Sequence, residues 1–339
     1  NLATFNSAPN LIPKSSTVLI TGGTRGLGLL CARHLVTKHG VKRLLLTGKE
    51  VLPPKSQWLQ SEQFSVRVQQ KIALIQALQD LGAEVEVSAF PLDEPEALKQ
   101  AYQSIEASIG PIAGVIHAAG MTDSENPAFI RKTTSSIAQI LAPKIEGVQN
   151  LLSLIAPEKF QFVLLFSSVS AQIPSMGVGQ SDYAMANAYL DYYASAHQAQ
   201  LPIVSIQWPS WKETGMGEVS SSAFLDTGML SMTDAEGLAF LDHILGSLEQ
   251  TVVMPVMADP SKFNPSTLLR TKAQTKAQTK SKTEAKPVAK SVPKAVTIEY
   301  EEASLVETSS VEKNDANKAI IVWLSALFAA ELKMTSEQL

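Results

Sequence analysis

An apolar run, Thr17-Val18-Leu19-Ile20-Thr21, breaks without a spacer into Gly22-Gly23-Thr24-Arg25-Gly26-Leu27-Gly28. Few sequence features restrict a chain more. The run reads as a buried strand, and the glycines after it as a tight loop that opens a helix. Their spacing is T-G-x-x-x-G-x-G. Without side chains at Gly22, Gly26 and Gly28, the backbone can approach a ligand closely. A helix starting there offers free N–H groups and the positive end of its dipole. A pyrophosphate suits such a place. A plain strand-turn-helix satisfies the same pattern, so residues further along the chain must decide between the two.

From about residue 15 to 260, apolar strands alternate with amphipathic stretches. The expected strands are Thr17–Thr21, Arg43–Thr47, Glu84–Ala89, Gly114–His117, Phe162–Ser167, Ile203–Trp208 and Thr251–Pro255. Helical patterns cover 68–82, 94–109, 134–155 and 181–199. Such alternation implies an α/β fold, a doubly wound parallel sheet covered on both faces, with ligands bound beyond the carboxyl ends of its strands. The glycine turn, Lys49, Asp93, His117–Gly120 and Ser167–Ser168 all fall just after a strand.

The flanks read differently. Residues 1–13 are polar with two prolines and read as a connector. From 264 to about 314 the chain repeats Lys-Ala-Gln-Thr and then turns acidic around Glu299–Glu302. Such a stretch buries too little apolar surface to offset the entropy of ordering, and is expected to be a disordered linker. In 315–339, Ile320, Ile321, Trp323, Leu324, Leu327, Phe328 and Leu332 return at helical spacing. One such helix looks like the opening of a further domain.

Composition excludes several classes. The net charge of −4 argues against a general nucleic-acid binder. The single cysteine, Cys31, permits neither a disulfide framework nor a cysteine-based metal site, and is expected to be a small buried apolar residue. No metal site is read from the sequence. No apolar run approaches the ~20 residues of a membrane span, and no signal-peptide pattern opens the chain. A reducing, cytoplasmic setting fits.

The chemistry-bearing residues come later in the chain. Ser168 ends a strand, Tyr183 stands fifteen residues on, and Asn187 four beyond that, on the same helix face. Lys144 lies 24 residues before Ser168. A phenol, with an ordinary pKa near ~10, is a poor acid-base group at neutral pH unless a neighbouring ammonium lowers that value. Tyr183 would then protonate a developing alkoxide while Ser168 holds the carbonyl oxygen. Individually each has a bland role: a surface aromatic, a helix cap, a solvated charge.

Together these residues resemble the extended short-chain dehydrogenase/reductase superfamily, and more narrowly the ketoreductase domains of modular polyketide synthases. Thr21–Gly28 is similar to the family's T-G-G-x-G-G-L-G, and His117-Ala118-Ala119-Gly120 matches its H-A-A-G turn. Pro143-Lys144 with Gly147 and Leu151 resembles P-K-x-x-G-x-x-N-L, and Phe166-Ser167-Ser168 resembles F-S-S. Tyr183–Asn187 resembles Y-A-x-A-N, and Gln207–Gly217 resembles the stretch leading to the substrate lid. The likeness covers roughly 14–262, read as the catalytic domain 14–263. Simple short-chain reductases place lysine four residues after tyrosine. Here Asn187 holds that position and the lysine is upstream at 144, an exchange typical of synthase ketoreductases.

The resemblance implies catalysis by Tyr183, Ser168, Lys144 and Asn187. It implies that the cofactor lies against Thr21, Gly22, Gly23, Thr24, Arg25, Gly26, Leu27 and Gly28, against Thr47, Gly48, Lys49 and Asp93, and against His117, Ala118, Ala119 and Gly120. After the second strand an NAD enzyme usually offers a carboxylate to the ribose. This chain offers Thr47-Gly48-Lys49, and Lys49 suits a 2′-phosphate, so NADPH is favoured, although Glu50 stands next to it. The implied substrate is a 3-oxoacyl thioester on an acyl-carrier protein, reduced to the hydroxyacyl thioester among neighbouring synthase domains. In that setting 315–339 resembles the first helix of a truncated acyl-carrier domain. The stretch Val51–Val68 resembles ketoreductases of trans-acyltransferase assembly lines. Of the family's stereochemical markers, Ser175 stands where one signature has tryptophan, and Thr122-Asp123-Ser124 keeps only the middle carboxylate of the other; Asp123 can equally cap a loop. A free-standing ketone reductase and a non-reducing structural module are the alternatives. Asn187 and the carrier-like helix argue against the first, and the intact Tyr183, Ser168 and Lys144 against the second.

Overall fold

The computed structural model describes residue 13 and residues 15–123, 131–215, 217–219 and 221–268. The chain divides into two units, Asn1–Thr283 and Glu284–Leu339, of which the second lies wholly outside the described residues. Also outside them are the connector over 1–12, the 264–314 segment beyond 268, and Ser124 and Met216.

Among the described residues the strands are β1 Thr17–Thr21, β2 Arg43–Gly48, β3 Glu84–Ala89, β4 Ile112–His117, β5 Phe162–Ser168, β6 Ile203–Trp208, β7 Met229–Leu230, β8 Val252–Val253 and β9 Met257–Ala258. Seven of them form one sheet in the order β3-β2-β1-β4-β5-β6-β8, with every pairing parallel. β7 and β9 make a small antiparallel pair. The helices are α1 Gly26–His39, α2 Val66–Asp80, α3 Pro95–Ile109, α4 Thr134–Leu141, α5 Glu146–Ser153, α6 Pro174–Gly177, α7 Ser181–His197, α8 Ser222–Leu225, α9 Asp234–Gly246 and α10 Pro265–Leu268. This is the doubly wound, Rossmann-like arrangement. Its strand order reverses between β1 and β4, the switch point at which folds of this kind hold their ligands in a crevice.

Period-two alternation decides which face each strand residue serves. Val18 and Ile20 pack with Cys31, Leu35, Ile72 and Leu241 under α1, α2 and α9. Leu19 points the other way, among Leu98, Val148, Leu151 and Leu190 of α3, α5 and α7. Because both faces are covered, the central strands are apolar throughout. Each fully buried leucine or isoleucine contributes about 1.5–3 kcal/mol. Cys31 is fully buried in the first core, and burial pushes its thiol up to about 12, which makes it an inert apolar filler.

Two expectations are corrected. The helix read over 134–155 is two helices, α4 and α5, separated by a turn at 142–145. Pro143 causes the break, since it lacks an N–H and its ring collides with the preceding helical turn. Lys144 sits in that break. The strand expected over Thr251–Pro255 is only Val252–Val253, short of Pro255, which cannot donate to a ladder. Within the 51–68 stretch Lys55–Gln63 winds into a 3₁₀ segment, and Trp58 is buried with Nε1 donating to the Pro53 carbonyl at 2.8 Å. No helix among the described residues is long and apolar enough to cross a membrane.

Candidate active site

The glycine turn is close-packed. Gly22 has φ +69°, and a Cβ there would lie 2.9 Å from the Ala118 carbonyl oxygen. At Gly28 a Cβ would come within 2.6 Å of the Gly22 carbonyl oxygen, so helix α1 rests directly on the turn. Thr24 is buried against Gly48 at the end of β2. Gly26 differs: it has φ +53° and open space where a side chain would stand. Arg25, the residue before α1, supplies no side-chain cap. An uncapped helix start with open space beside Gly26 and the helix dipole behind it fits a pyrophosphate.

Thr21 and His117 are paired in register across β1 and β4, at the switch point. The Ala119 N–H donates to Thr21 Oγ1 at 3.2 Å, and Thr21 Oγ1 lies 2.9 Å from His117 Nδ1. His117 Nε2 lies 2.9 Å from the Pro143 carbonyl. A carbonyl only accepts, so Nε2 carries the proton and Nδ1 accepts from Thr21. Burial and the nearby Lys144 ammonium push His117 down to about 3, so the ring is neutral. This chain of bonds ties the glycine turn, the His117–Gly120 turn and the Lys144 segment together. Ala118 and Ala119 take part through their backbone.

Three consecutive residues at the end of β5 collect the remaining groups. The Phe166 carbonyl accepts from Lys144 Nζ at 2.6 Å. Ser167 Oγ donates to the Asn187 carbonyl at 3.1 Å and fastens α7 to the strand. Ser168 stands beside the Tyr183 phenol. Lys144 also lies against the cofactor turn, since a Cβ at Gly120 would meet its Cε at 2.8 Å. Asn187 is fully buried; its Nδ2 donates to the Tyr183 carbonyl at 2.7 Å, and its Oδ1 has no partner among the described residues. Lys144, Ser168, Tyr183 and Asn187, distant in sequence, thus share one end of β5.

Several residues here were not legible in the sequence. Ser168 Oγ accepts from the Ser170 N–H at 3.2 Å and from Ser170 Oγ at 3.0 Å. Both lone pairs are then used, and the Ser168 proton is left to donate outward. Asp191 on α7 accepts from Ser205 Oγ at 2.6 Å and Gln207 Nε2 at 2.7 Å, and its charge reaches Lys144. Asp182, next to Tyr183, is fully buried and accepts from Lys132 at 2.6 Å. The Asp191 and Asp182 contacts have no local signature, because their partners come from other elements, whereas the Ser168–Ser170 contact is a local cap between residues two apart.

The expected lowering of the Tyr183 pKa is corrected. Burial raises the phenol above its ordinary value, and the lowering pull of Asn187 and Ser168 does not outweigh it. Tyr183 is therefore fully protonated at neutral pH, the form a proton donor needs. Lys144 moves the other way. Burial brings its ammonium down to about 8, with Asp191 holding it partly up. The charged form prevails below that value and is lost above it. Ketone reduction is expected to fall as pH rises through about 8. Asp191→Asn is expected to move that limb to lower pH, read from kcat/KM profiles of both proteins.

At the β2 end, Lys49 is exposed, with Nζ 3.3 Å from Met121 Sδ. Glu50 does not oppose it, because Lys71 and Arg67 hold that carboxylate, with Arg25 adding to the pull. Asp93 is exposed just beyond β3. Ser175 lies in the short helix α6.

A parallel sheet with an uncapped helix behind a glycine turn, and a tyrosine, serine and lysine gathered across the crevice, defines an oxidoreductase of the short-chain dehydrogenase/reductase class. The family model described as KR domain matches residues 16–213. The chain belongs to this family, the ketoreductase domains of polyketide synthases, which reduce ketones. It is 52% identical over 253 residues to polyketide synthase PksL of Bacillus subtilis, across 75% of this chain and 6% of that protein. It is 35% identical over 259 residues to 6-methylsalicylic acid synthase of Aspergillus terreus, across 74% of this chain and 14% of that one. The chain thus spans a small part of the length of the curated relatives it matches. Among solved structures it is similar to a ketoreductase domain from the bacillaene assembly line. The TM-score there is 0.62 at 28% identity, over 75% of this chain and 58% of the other. A ketoreductase from the macrolactin assembly line gives 0.62 at 26% identity, over 79% and 49%.

Proposed function

We propose that this chain reduces a 3-oxoacyl thioester, carried on an acyl-carrier protein, to the hydroxyacyl thioester with NADPH, within a cytoplasmic polyketide assembly line. The observation that carries this reading is the meeting of Lys144, Ser168, Tyr183 and Asn187 at the carboxyl end of β5, across the crevice from the glycine turn. The nicotinamide supplies the hydride when bound. Ser168, whose lone pairs are occupied by Ser170, directs its proton at the ketone oxygen and polarises it. Tyr183 gives its proton to the developing alkoxide. Lys144 keeps an ammonium beside that charge and against the Gly120 turn, while Asn187 holds the Tyr183 backbone in place.

NADPH is favoured over NADH because the β2 end presents Lys49 and Arg25, with Glu50 already engaged by Lys71 and Arg67. Thr47, Gly48 and Asp93 complete that end of the site. A charged hydrogen bond to a 2′-phosphate contributes about 1.5–3 kcal/mol. Lys49→Glu is therefore expected to weaken NADPH about 10–100-fold by calorimetry while leaving NADH nearly unchanged. An equal loss for both cofactors would remove Lys49 from phosphate recognition. The insertion between β2 and α2, built around Trp58, supports placement in a trans-acyltransferase line. Turnover of a carrier-bound 3-oxoacyl chain with NADPH tests the whole reading, and NADPH binding without reduction of any ketoacyl thioester would favour the non-reducing module.

A further inference from the structure

Far from the crevice, the last turns of α1 and the middle of α9 bring together two imidazoles and a carboxylate. His34 Nε2 and His39 Nε2 each lie 2.6 Å from the same oxygen, Asp242 Oδ1. The three candidate ligand atoms all lie within 4.8 Å of one another. The side chains are largely sheltered, at 13%, 5% and 12% exposure. Lys38 Nζ takes the other carboxylate oxygen, Oδ2, at 2.6 Å and leaves Oδ1 to the histidines. α1 spans 14 residues, so His39 stands roughly 20 Å along the helix from the glycine turn. No sequence spacing announces the group: the histidines are five apart, and Asp242 is 203 residues beyond His39.

We propose that His34, His39 and Asp242 form a site for a divalent transition ion, with zinc the best fit. Two neutral imidazoles and one carboxylate oxygen are three of the four ligands of a tetrahedral zinc centre, and water supplies the fourth. Zinc–ligand lengths of about 2.0–2.2 Å place neighbouring donor atoms a little over 3 Å apart, so the ion enters by small side-chain shifts. In each neutral ring the proton now on Nε2, donated to Oδ1, passes through solvent to Nδ1, so that Nε2 presents a lone pair to the ion. One ion bound releases no proton from a neutral ring and needs no co-reactant. The ion clips α1 to α9, and both helices already share one core through Ala32, Leu35, Leu241 and Leu245. It therefore steadies the helix whose first turn faces the cofactor. Its role is structural, since Lys144, Ser168 and Tyr183 lie at the crevice and not beside it.

The test uses the full chain, dialysed against chelator. Zinc at about a hundredfold its Kd is expected to raise the melting temperature by roughly 5–10 °C. Cobalt is expected to give the strong visible absorption of a tetrahedral site at one ion per chain. His39→Gln and Asp242→Asn keep hydrogen-bonding groups in place and are expected to fold, checked by circular dichroism, and to lose both signals. Should either variant fail to fold, the cobalt spectrum of the unaltered chain decides alone. A cobalt spectrum without tetrahedral bands overturns the proposal. So does a zinc shift that persists undiminished in a folded His34→Gln/His39→Gln chain, which would place the ion elsewhere.

Discussion

Tyr183→Phe is expected to lower kcat for ketone reduction by about 10²–10⁴-fold, with NADPH affinity essentially unchanged. The reason lies in the groups that surround the phenol. Burial raises its pKa, so at neutral pH the hydroxyl is a proton reservoir that gives up its proton only when a stronger base, the forming alkoxide, arrives beside it. Ser168 sits next to it with both lone pairs filled by Ser170 and can polarise the ketone but not replace the donor. The Lys144 ammonium is bonded to the Phe166 carbonyl and lies along the Gly120 turn, where it stabilises charge. Phenylalanine keeps the ring and removes only the hydroxyl, so the fold and the cofactor turn should survive. Stopped-flow NADPH oxidation, with calorimetry on the same protein, separates the two effects. A variant that keeps kcat within about threefold would assign the proton to another group.

The second large effect is on stability. Lys132 and Asp182 are paired at 2.6 Å with side chains only 1% and 0% exposed. Removing one partner of a buried ion pair leaves an uncompensated charge, at a cost of about 3–5 kcal/mol. Lys132→Met is expected to lose that much, lowering the melting temperature by roughly 6–20 °C for a domain of this size. Asp182 Oδ1 has no partner among the described residues, so desolvation of the pair is only partly offset even in the intact protein. Neutralising both, as Lys132→Met with Asp182→Asn, is accordingly expected to recover most of the loss. Chemical denaturation of the four proteins in the cycle measures this. A single variant within about 0.5 kcal/mol of the parent would show that the pair is solvated in solution. Asp182 precedes Tyr183, so the single variant should also loosen the first turn of α7 and with it the proton donor.

The long strands of the main sheet were legible in the sequence because both faces of the sheet are covered, which makes Thr17–Thr21 or Phe162–Ser167 continuous apolar runs bounded by turns; the short β7 and β9 carry no such run. The glycine turn and the spacing from Ser168 through Tyr183 to Asn187 were legible because each is local to a loop or a helix face. The Lys132–Asp182 pair was not, since its partners are 50 residues apart and each looks like an ordinary surface charge. Asp191 escapes a sequence reading for the same reason, since its partners Ser205 and Gln207 come from another strand. The break at Pro143 was in plain view. Continuous apolar periodicity across 134–155 concealed it, although proline chemistry is what frees Lys144 from a helix and lets it turn toward Phe166. The direction of the Tyr183 shift is illegible from residue types alone, because they suggest pairing with an ammonium, whereas burial is the larger cause.

The most direct measurement of the central assignment is a single turnover with NADPH deuterated at the transferable nicotinamide position and a 3-oxoacyl chain on its carrier protein. The gathering of Tyr183, Ser168 and Lys144 beside the cofactor turn predicts one deuterium at the carbinol carbon of the hydroxyacyl product, formed by the unaltered chain and lost in Tyr183→Phe. Recovery of undeuterated ketoacyl substrate from enzyme saturated with NADPH would contradict it.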